Sequence, residues 1–286
     1  MKKSILLLCL ILFCMSVGKG LYFLKDGFNF RRIHCLDKQV AEDWEEEADL
    51  ALAQTYSYIG RGRQCFAFAS ADDRYVLKLP RTDIYKTPFW VRALPVKSYR
   101  ERLAANHLKL EQFIRSSFEI SFGQLQNQTG LIAVHFGQST SKGKTLTLMD
   151  KLGCKHRLSL EKTCFVLQYK RPILMQAFSR ALENGDKKEA KRILDAWVDV
   201  VEERARKGIL NRDRSFLRNY GFDGERAYQI DVGSFFCDPE LKIADAYQKS
   251  IRDSVDPVQE WLVQKDLEML AYLDQKLWLL FRMNCD

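Results

Sequence analysis

The chain changes character at Pro172, and that switch limits what it can fold into more than any other feature. From Thr55 to Leu79, short apolar runs alternate with the turn residues Gly60-Arg61-Gly62-Arg63 and Ala71-Asp72-Asp73-Arg74. This pattern predicts three antiparallel strands joined by two tight turns. A Pro-punctuated loop follows over 80–95, and then Ser98 as N-cap with Leu103, His107, Leu110 and Ile114 at helical spacing predicts an amphipathic helix over 99–117. Strand-like runs return at 131–136, 145–149 and 164–169. Beyond Pro172 the period becomes helical. It is read over 173–182, over 187–207 with Ile193, Leu194, Trp197, Val200 and Val201 on one face, and over 257–283 as one long closing helix. A sheet-rich first half and a helix-rich second half predict an α+β fold with two lobes, residues 21–170 and 171–286. With 286 residues, 47% of them hydrophobic, and only 15 Gly and 6 Pro, the chain can bury a large core, which excludes disordered and collagen-like classes.

Residues 1–20 stand apart. Met1-Lys2-Lys3 followed by the apolar run Ile5–Val17 has the n-region and h-region of a secretory signal; read together with Leu21–Leu24, it is an uncleaved membrane anchor. The expectation is a membrane-associated or exported bacterial protein, with the side of the membrane open. Eight cysteines at 9, 14, 35, 65, 154, 164, 237 and 285 leave six after the leader, a number an exported protein can pair; buried or free thiols are the alternative. No C-x-x-C occurs and the four histidines are scattered, which argues against zinc. No G-x-S-x-G is present. The net charge of +8 admits an anionic partner without selecting one. Nucleic acid is not expected, because no stretch interleaves aromatics with basic residues on a sheet face.

Four features carry chemistry, and their order along the chain matters. Gly60-x-Gly62 lies between two predicted strands, where glycines let backbone approach a phosphate. Lys78 lies in the apolar strand Tyr75–Leu79 on the opposite register from Leu77 and Leu79; it is either a phosphate ligand or an exposed lysine on the outer face. Asn211-Arg212-Asp213-Arg214-Ser215-Phe216-Leu217-Arg218-Asn219 follows the Gly208 helix stop, and Ile230-Asp231-Val232-Gly233 ends a short apolar run. Taken singly, Asp213, Asn219 and Asp231 are ordinary turn or loop residues.

Taken together, the four resemble the protein-kinase-like fold. The stretch 208–219 resembles the H-R-D-x-x-x-x-N catalytic loop with Asn211 in place of His, 231–233 resembles D-F-G, Val76-Leu77-Lys78 resembles V-A-I-K, and 60–65 resembles the Gly-rich loop with Cys65 in place of its third Gly. Asn219 stands six residues after Asp213 instead of five, Arg218 holds the fifth position, and no A-P-E follows. The resemblance implies an antiparallel-sheet N-lobe and a helical C-lobe. It implies an ATP-binding protein that transfers the γ-phosphoryl group to an unidentified hydroxyl, on a small molecule in preference to a protein, or a catalytically inactive pseudokinase acting as a membrane-associated or exported binding module. Gly60, Gly62 and Lys78 then hold the nucleotide phosphates, and Asp231 and Asn219 coordinate Mg²⁺. Asp213 accepts the proton of the substrate hydroxyl, Glu111 (or Glu101) pairs with Lys78, and 165–170 is the hinge strand that meets adenine.

Overall fold

The computed structural model describes residues 13, 16–20, 22–33, 44–86, 91, 96–137, 143–213 and 215–283. The chain is a mixed α+β protein that divides into two compact units, residues 1–107 with 133–170, and residues 108–132 with 171–286. The leader expected over 1–20 lies largely outside the described residues. Among those described, no helix is long and apolar enough to cross a membrane, so the anchor gains no support. Part of the loop expected over 80–95 also lies outside them.

The first unit contains α1 (Glu46–Leu52), which the sequence reading missed, and the predicted strands β1 (Thr55–Arg61), β2 (Cys65–Ser70) and β3 (Tyr75–Pro80). Helix α2 (Lys97–Thr129) links these to β4 (Leu131–His135), β5 (Thr145–Met149), β6 (Lys155–Ser159) and β7 (Phe165–Tyr169). The sheet has seven strands in the order β4-β7-β3-β2-β1-β5-β6, and it is not wholly antiparallel, because β1 and β5 pair in parallel. Strand β6 is an exposed edge with one buried residue, Leu158, so its sequence Lys-His-Arg-Leu-Ser carries almost no apolar alternation to read. Phe66, Phe68, Leu77 and Leu79 are fully buried on one face of the sheet. At about 25 cal/mol per Å² of apolar surface, each contributes on the order of 1.5–3 kcal/mol.

The segment 22–33 straps onto this unit. Phe28 meets the rings of Phe66 and Phe68, each at 5.3 Å between centroids, while Asp26 takes an ion pair from Lys151 at 2.9 Å. Beside them the Asp150 carboxylate, fully buried, accepts from Lys25 and from His156 Nε2 at 2.9 Å and from the amides of Leu152 and Cys154 at 3.0 Å. Burial pushes this carboxyl up, but the bonds from His156, Lys25 and the two amides outweigh it and bring the pKa down to about 2.

Helix α2 runs twelve residues beyond its predicted end at 117. Its buried stripe continues through Phe118, Ser121, Leu125 and Thr129, and the two hydroxyl residues concealed it from an apolar count. Ser121 and Thr129 satisfy themselves by donating back to the carbonyls of Ser117 and Leu125.

The second unit holds α3 (Leu174–Glu183), α4 (Lys187–Arg206), β8 (Ile209–Asn211), α5 (Phe216–Asn219), β9 (Tyr220–Phe222), β10 (Ala227–Gln229), β11 (Phe235–Cys237), α6 (Ala244–Lys265) and α7 (Leu267–Met283). Its core gathers Phe178, Ile193, Leu194, Trp197 and Val201 against Ile251, Val255, Val258, Leu262, Met269 and Leu273. The single closing helix expected over 257–283 is two helices. Pro257 sits inside α6, and the break falls at Asp266, whose backbone is extended and whose carboxylate accepts the Met269 amide as an N-cap for α7. Lys187 pairs with the same carboxylate. Cys154 and Cys237 are free thiols, whereas Cys164 is disulfide-bonded.

The Asp150 contacts predict an acid-sensitive strap. Because its folded pKa lies below the ordinary 3.8, the stability it adds is fully present above about pH 4 and is lost as pH falls towards 2. With solvent screening this amounts to roughly 1–2 kcal/mol. Urea unfolding measured between pH 6 and 2.5 should show the loss, and Asp150→Asn should flatten it.

Candidate functional site

The chemistry-bearing residues of the second unit sit on loops that short strand pairs hold side by side. Gly208 ends α4 at φ +74°, a conformation that favours glycine, and the chain turns straight into β8. Strand β8 pairs antiparallel with β11, with Asn211 opposite Phe235, and the Arg212 amide extends the ladder to the Ser234 carbonyl at 3.0 Å. The loop after β8 and the loop before β11 therefore leave the ladder together. In the first of these, Asn211 Oδ1 accepts the Asp213 amide and Asp213 Oδ1 accepts the Ser215 amide, both at 3.0 Å. Asp213 is exposed, and among the described residues its Oδ2 takes no hydrogen bond.

The one-turn helix α5 follows and ends at Asn219. This extra turn absorbs the sixth residue and settles which side chain is presented, because Asn219 is 5% exposed whereas Arg218 faces solvent. Hairpin β9–β10 then returns the chain so that the Asn219 carbonyl accepts the amides of Ile230 at 2.8 Å and Asp231 at 3.4 Å. The hairpin fits here because position 221 is glycine, where a Cβ would meet Arg171 Cβ at 2.5 Å. Asn219 and Asp231 are thus backbone neighbours. Asp231 is exposed, its Oδ1 faces the Gly233 amide at 3.5 Å, and Val232 is fully buried beneath it. The Asn219 side-chain nitrogen is buried and, among the described residues, has no acceptor, a condition costing about 1–3 kcal/mol in a folded protein.

Helix α2 clamps the second loop. Ser117, fully buried, donates its hydroxyl to the Val232 carbonyl and accepts the Phe235 amide at 2.6 Å. One turn earlier, the Phe113 ring lies 4.2 Å from the Arg212 guanidinium, which is flanked on its other contact by Phe236 at 5.0 Å. Glu111 is half-buried on this helix; Glu101 is exposed and pairs loosely with Lys97 at 3.8 Å.

In the first unit, Lys78 stands on β3 between Ala67 of β2 and Val166 of β7, half-buried on the face opposite the fully buried Leu77 and Leu79. Strand β1 carries a register shift between Tyr58 and Gly60, and the Gly62 amide closes the turn on the Cys65 carbonyl at 2.9 Å. Neither Gly60 nor Gly62 adopts a left-handed φ, and a Cβ on Gly60 would meet nothing within 4 Å. The fold itself therefore does not require glycine at position 60.

Among the described residues, no group of three or more His, Cys, Asp or Glu side chains could hold a metal ion. Asp231 with Asn219 supplies two hard oxygen donors. That is too few for a metal cage but fits Mg²⁺, which takes one or two protein ligands and completes its octahedron with phosphate and water. A carboxamide turned the other way presents its oxygen where the orphaned nitrogen now lies. Sequence reasoning missed Ser117, since a serine on a helix reads as surface. Its spacing from Ile114, Ser121 and Leu125 on the buried stripe was the available signal.

No family model matches the chain, and no curated protein matches it. Among solved structures it is similar to the bifunctional kinase-methyltransferase WbdD, at 14% identity and a TM-score of 0.34 over 75% of this chain and 42% of that one. A co-crystal of WbdD with the kinase inhibitor LY294002 gives 16% identity and a TM-score of 0.32, over 77% and 45% of the two chains. The Rv3197–erythromycin complex from Mycobacterium tuberculosis gives 11% and 0.36, over 73% and 55%. The chain spans about half the length of these proteins, or less. Likenesses so distant carry no functional weight.

The Ser117 clamp predicts a local effect. Ser117→Ala leaves the Phe235 amide and the Val232 carbonyl without their partner, so it should cost about 1–3 kcal/mol. Denaturant unfolding measures the loss, and amide hydrogen exchange at Phe235 should accelerate more than exchange in α4.

Proposed function

We propose that the chain is a protein-kinase-like phosphotransferase that binds Mg·ATP and passes the γ-phosphoryl group to the hydroxyl of a small molecule. The observation that carries the proposal is the pairing of Asp231 with the buried Asn219, whose side-chain nitrogen has no acceptor among the described residues although its carbonyl accepts two amides. Orphaned buried polar groups are costly, and a ligand that engages the carboxamide would account for this one. The room beside Gly60 supports close approach of phosphate to backbone.

In this reading Asp231 Oδ and the Asn219 amide oxygen would hold Mg²⁺, which neutralises charge on the phosphate oxygens when bound. In the first unit, Lys78 would add its ammonium to a phosphate, and strand β7 would offer its backbone to adenine. Asp213 does the proton work. Its Oδ1 is tied to the Ser215 amide, leaving Oδ2 to take the proton of the acceptor hydroxyl as oxygen attacks the γ-phosphorus, the bond to the β-phosphate oxygen breaks and ADP departs. Asn211 orients that carboxylate through the Asp213 amide.

A second reading is a catalytically inactive module outside the cytoplasm, and the disulfide at Cys164 favours it. Disulfides persist in oxidising compartments, where ATP is scarce. Turnover separates the two. At matched nucleotide occupancy, Asp213→Asn should lower phosphoryl transfer to a metabolite pool by about 10²–10⁴-fold. Identical residual turnover in both proteins selects the inactive module. Lys78→Met should leave the melting temperature within a degree or two and weaken ATP binding about tenfold or more; unchanged affinity would show that Lys78 serves no phosphate.

A further inference from the structure

In the second unit one buried guanidinium is bonded, among the described residues, to no carboxylate. Arg204 on α4 is 2% exposed, and its guanidinium donates to the Tyr220 hydroxyl at 3.2 Å, to Gln229 Oε1 at 2.6 Å and to Ser254 Oγ at 2.9 Å. All three acceptors are neutral, and Nε has none. Buried charges are ordinarily paired with an opposite charge, so this one is anomalous.

Ser254 also lines a cavity of about 250 Å³, together with Ser250, Asp253, Asn211, Arg212 and Phe236. Two groups on its wall are unspent. Ser250 is 6% exposed and its hydroxyl has no partner among the described residues, although its carbonyl accepts the Ser254 hydroxyl at 2.9 Å. Among the described residues, the Arg212 guanidinium makes only ring contacts, to Phe113 and Phe236, and no carboxylate pairs with it. A guanidinium held by aromatic rings keeps its in-plane N–H groups for an oxyanion. Asp253 contributes one negative charge, against the two of Arg204 and Arg212.

We propose that this cavity binds a phosphate-type oxyanion, either inorganic phosphate or the phosphate group of a small phosphomonoester. The Ser250 hydroxyl and the Arg212 guanidinium donate to its oxygens, and Arg204, fixed through Ser254, supplies the charge behind them. The site is separate from the Asp231–Asn219 pair and stands whether or not the chain transfers phosphoryl groups. Since Asn211 lines the cavity and its side chain accepts the Asp213 amide, occupancy reaches the Asp213 loop directly.

The test titrates the full chain with inorganic phosphate and, separately, with glycerol 3-phosphate, following the melting temperature against potassium chloride at equal ionic strength. A saturable rise with either phosphate and none with chloride is expected, and the stronger of the two identifies the source. Ser250→Ala should leave the ligand-free protein as stable as wild type or more so, because it removes an unpaired buried hydroxyl, while weakening phosphate about tenfold. Arg212→Gln should weaken it at least as much, and Lys78→Met should not change it. A response equal to that of chloride, or equal in wild type, Ser250→Ala and Arg212→Gln, overturns the proposal. So does a response lost in Lys78→Met and kept in Ser250→Ala, which would assign the phosphate to the nucleotide site.

Discussion

The Asn219 carbonyl accepts the amides of both Ile230 and Asp231, and the arrangement of the second unit's loops follows from that double acceptance. It places the end of α5 against the exit of hairpin β9–β10, so that two residues twelve apart in sequence sit at one point. The β8–β11 ladder, continued by Arg212 to Ser234, fixes the other end of the same loops. Between these two fastenings the chain has little freedom, and Ser117 removes more of it by binding both Val232 and Phe235. The proposed phosphoryl transfer would draw on such over-determination, because positioning supplies much of its work.

The same region concentrates groups that a stability-optimised fold would not leave unsatisfied. The Asn219 nitrogen, the Ser250 hydroxyl and Arg204 Nε are all buried without partners. Such groups also occur in the core where α4 packs against α6 and α7, where Trp197 Nε1 is buried with no partner among the described residues. Local departures from the rules that govern the rest of a chain mark places where function opposes stability. Two of the places where they fall adjoin the loop that carries Asp213, the Asn219–Asp231 pair and the oxyanion cavity.

Much of this was legible in the sequence, for identifiable reasons. Strands β1 to β3 alternate apolar runs with Gly-rich and Asp-rich turns, and α4 carries a full apolar face closed by Gly208, so period and punctuation agree. Order along the chain picked out Asp213, Asn219 and Asp231, but only the α5 turn shows that Asn219, not Arg218, is the buried residue. Several elements were hidden, α1 among them. Strand β6 presents charge on an exposed edge, α2 continues through buried serines and threonine, and α6–α7 break at an aspartate whose capping role has no apolar signature. The Arg204 network was equally silent, since a buried arginine bonded to tyrosine, glutamine and serine reads locally as an ordinary charge on a helix.

The central claim is that Asp231 and Asn219 form the metal-dependent end of a nucleotide site. It is tested most directly by calorimetric titration of ATP into the full chain with Mg²⁺ and with EDTA, in wild type, Asp231→Asn and Asn219→Leu. The account predicts that Mg²⁺ tightens ATP binding at least tenfold in wild type and has little effect in either variant, while the EDTA affinities of all three stay alike. Equal gains from Mg²⁺ in all three proteins, or no ATP binding by folded wild type under either condition, would contradict it.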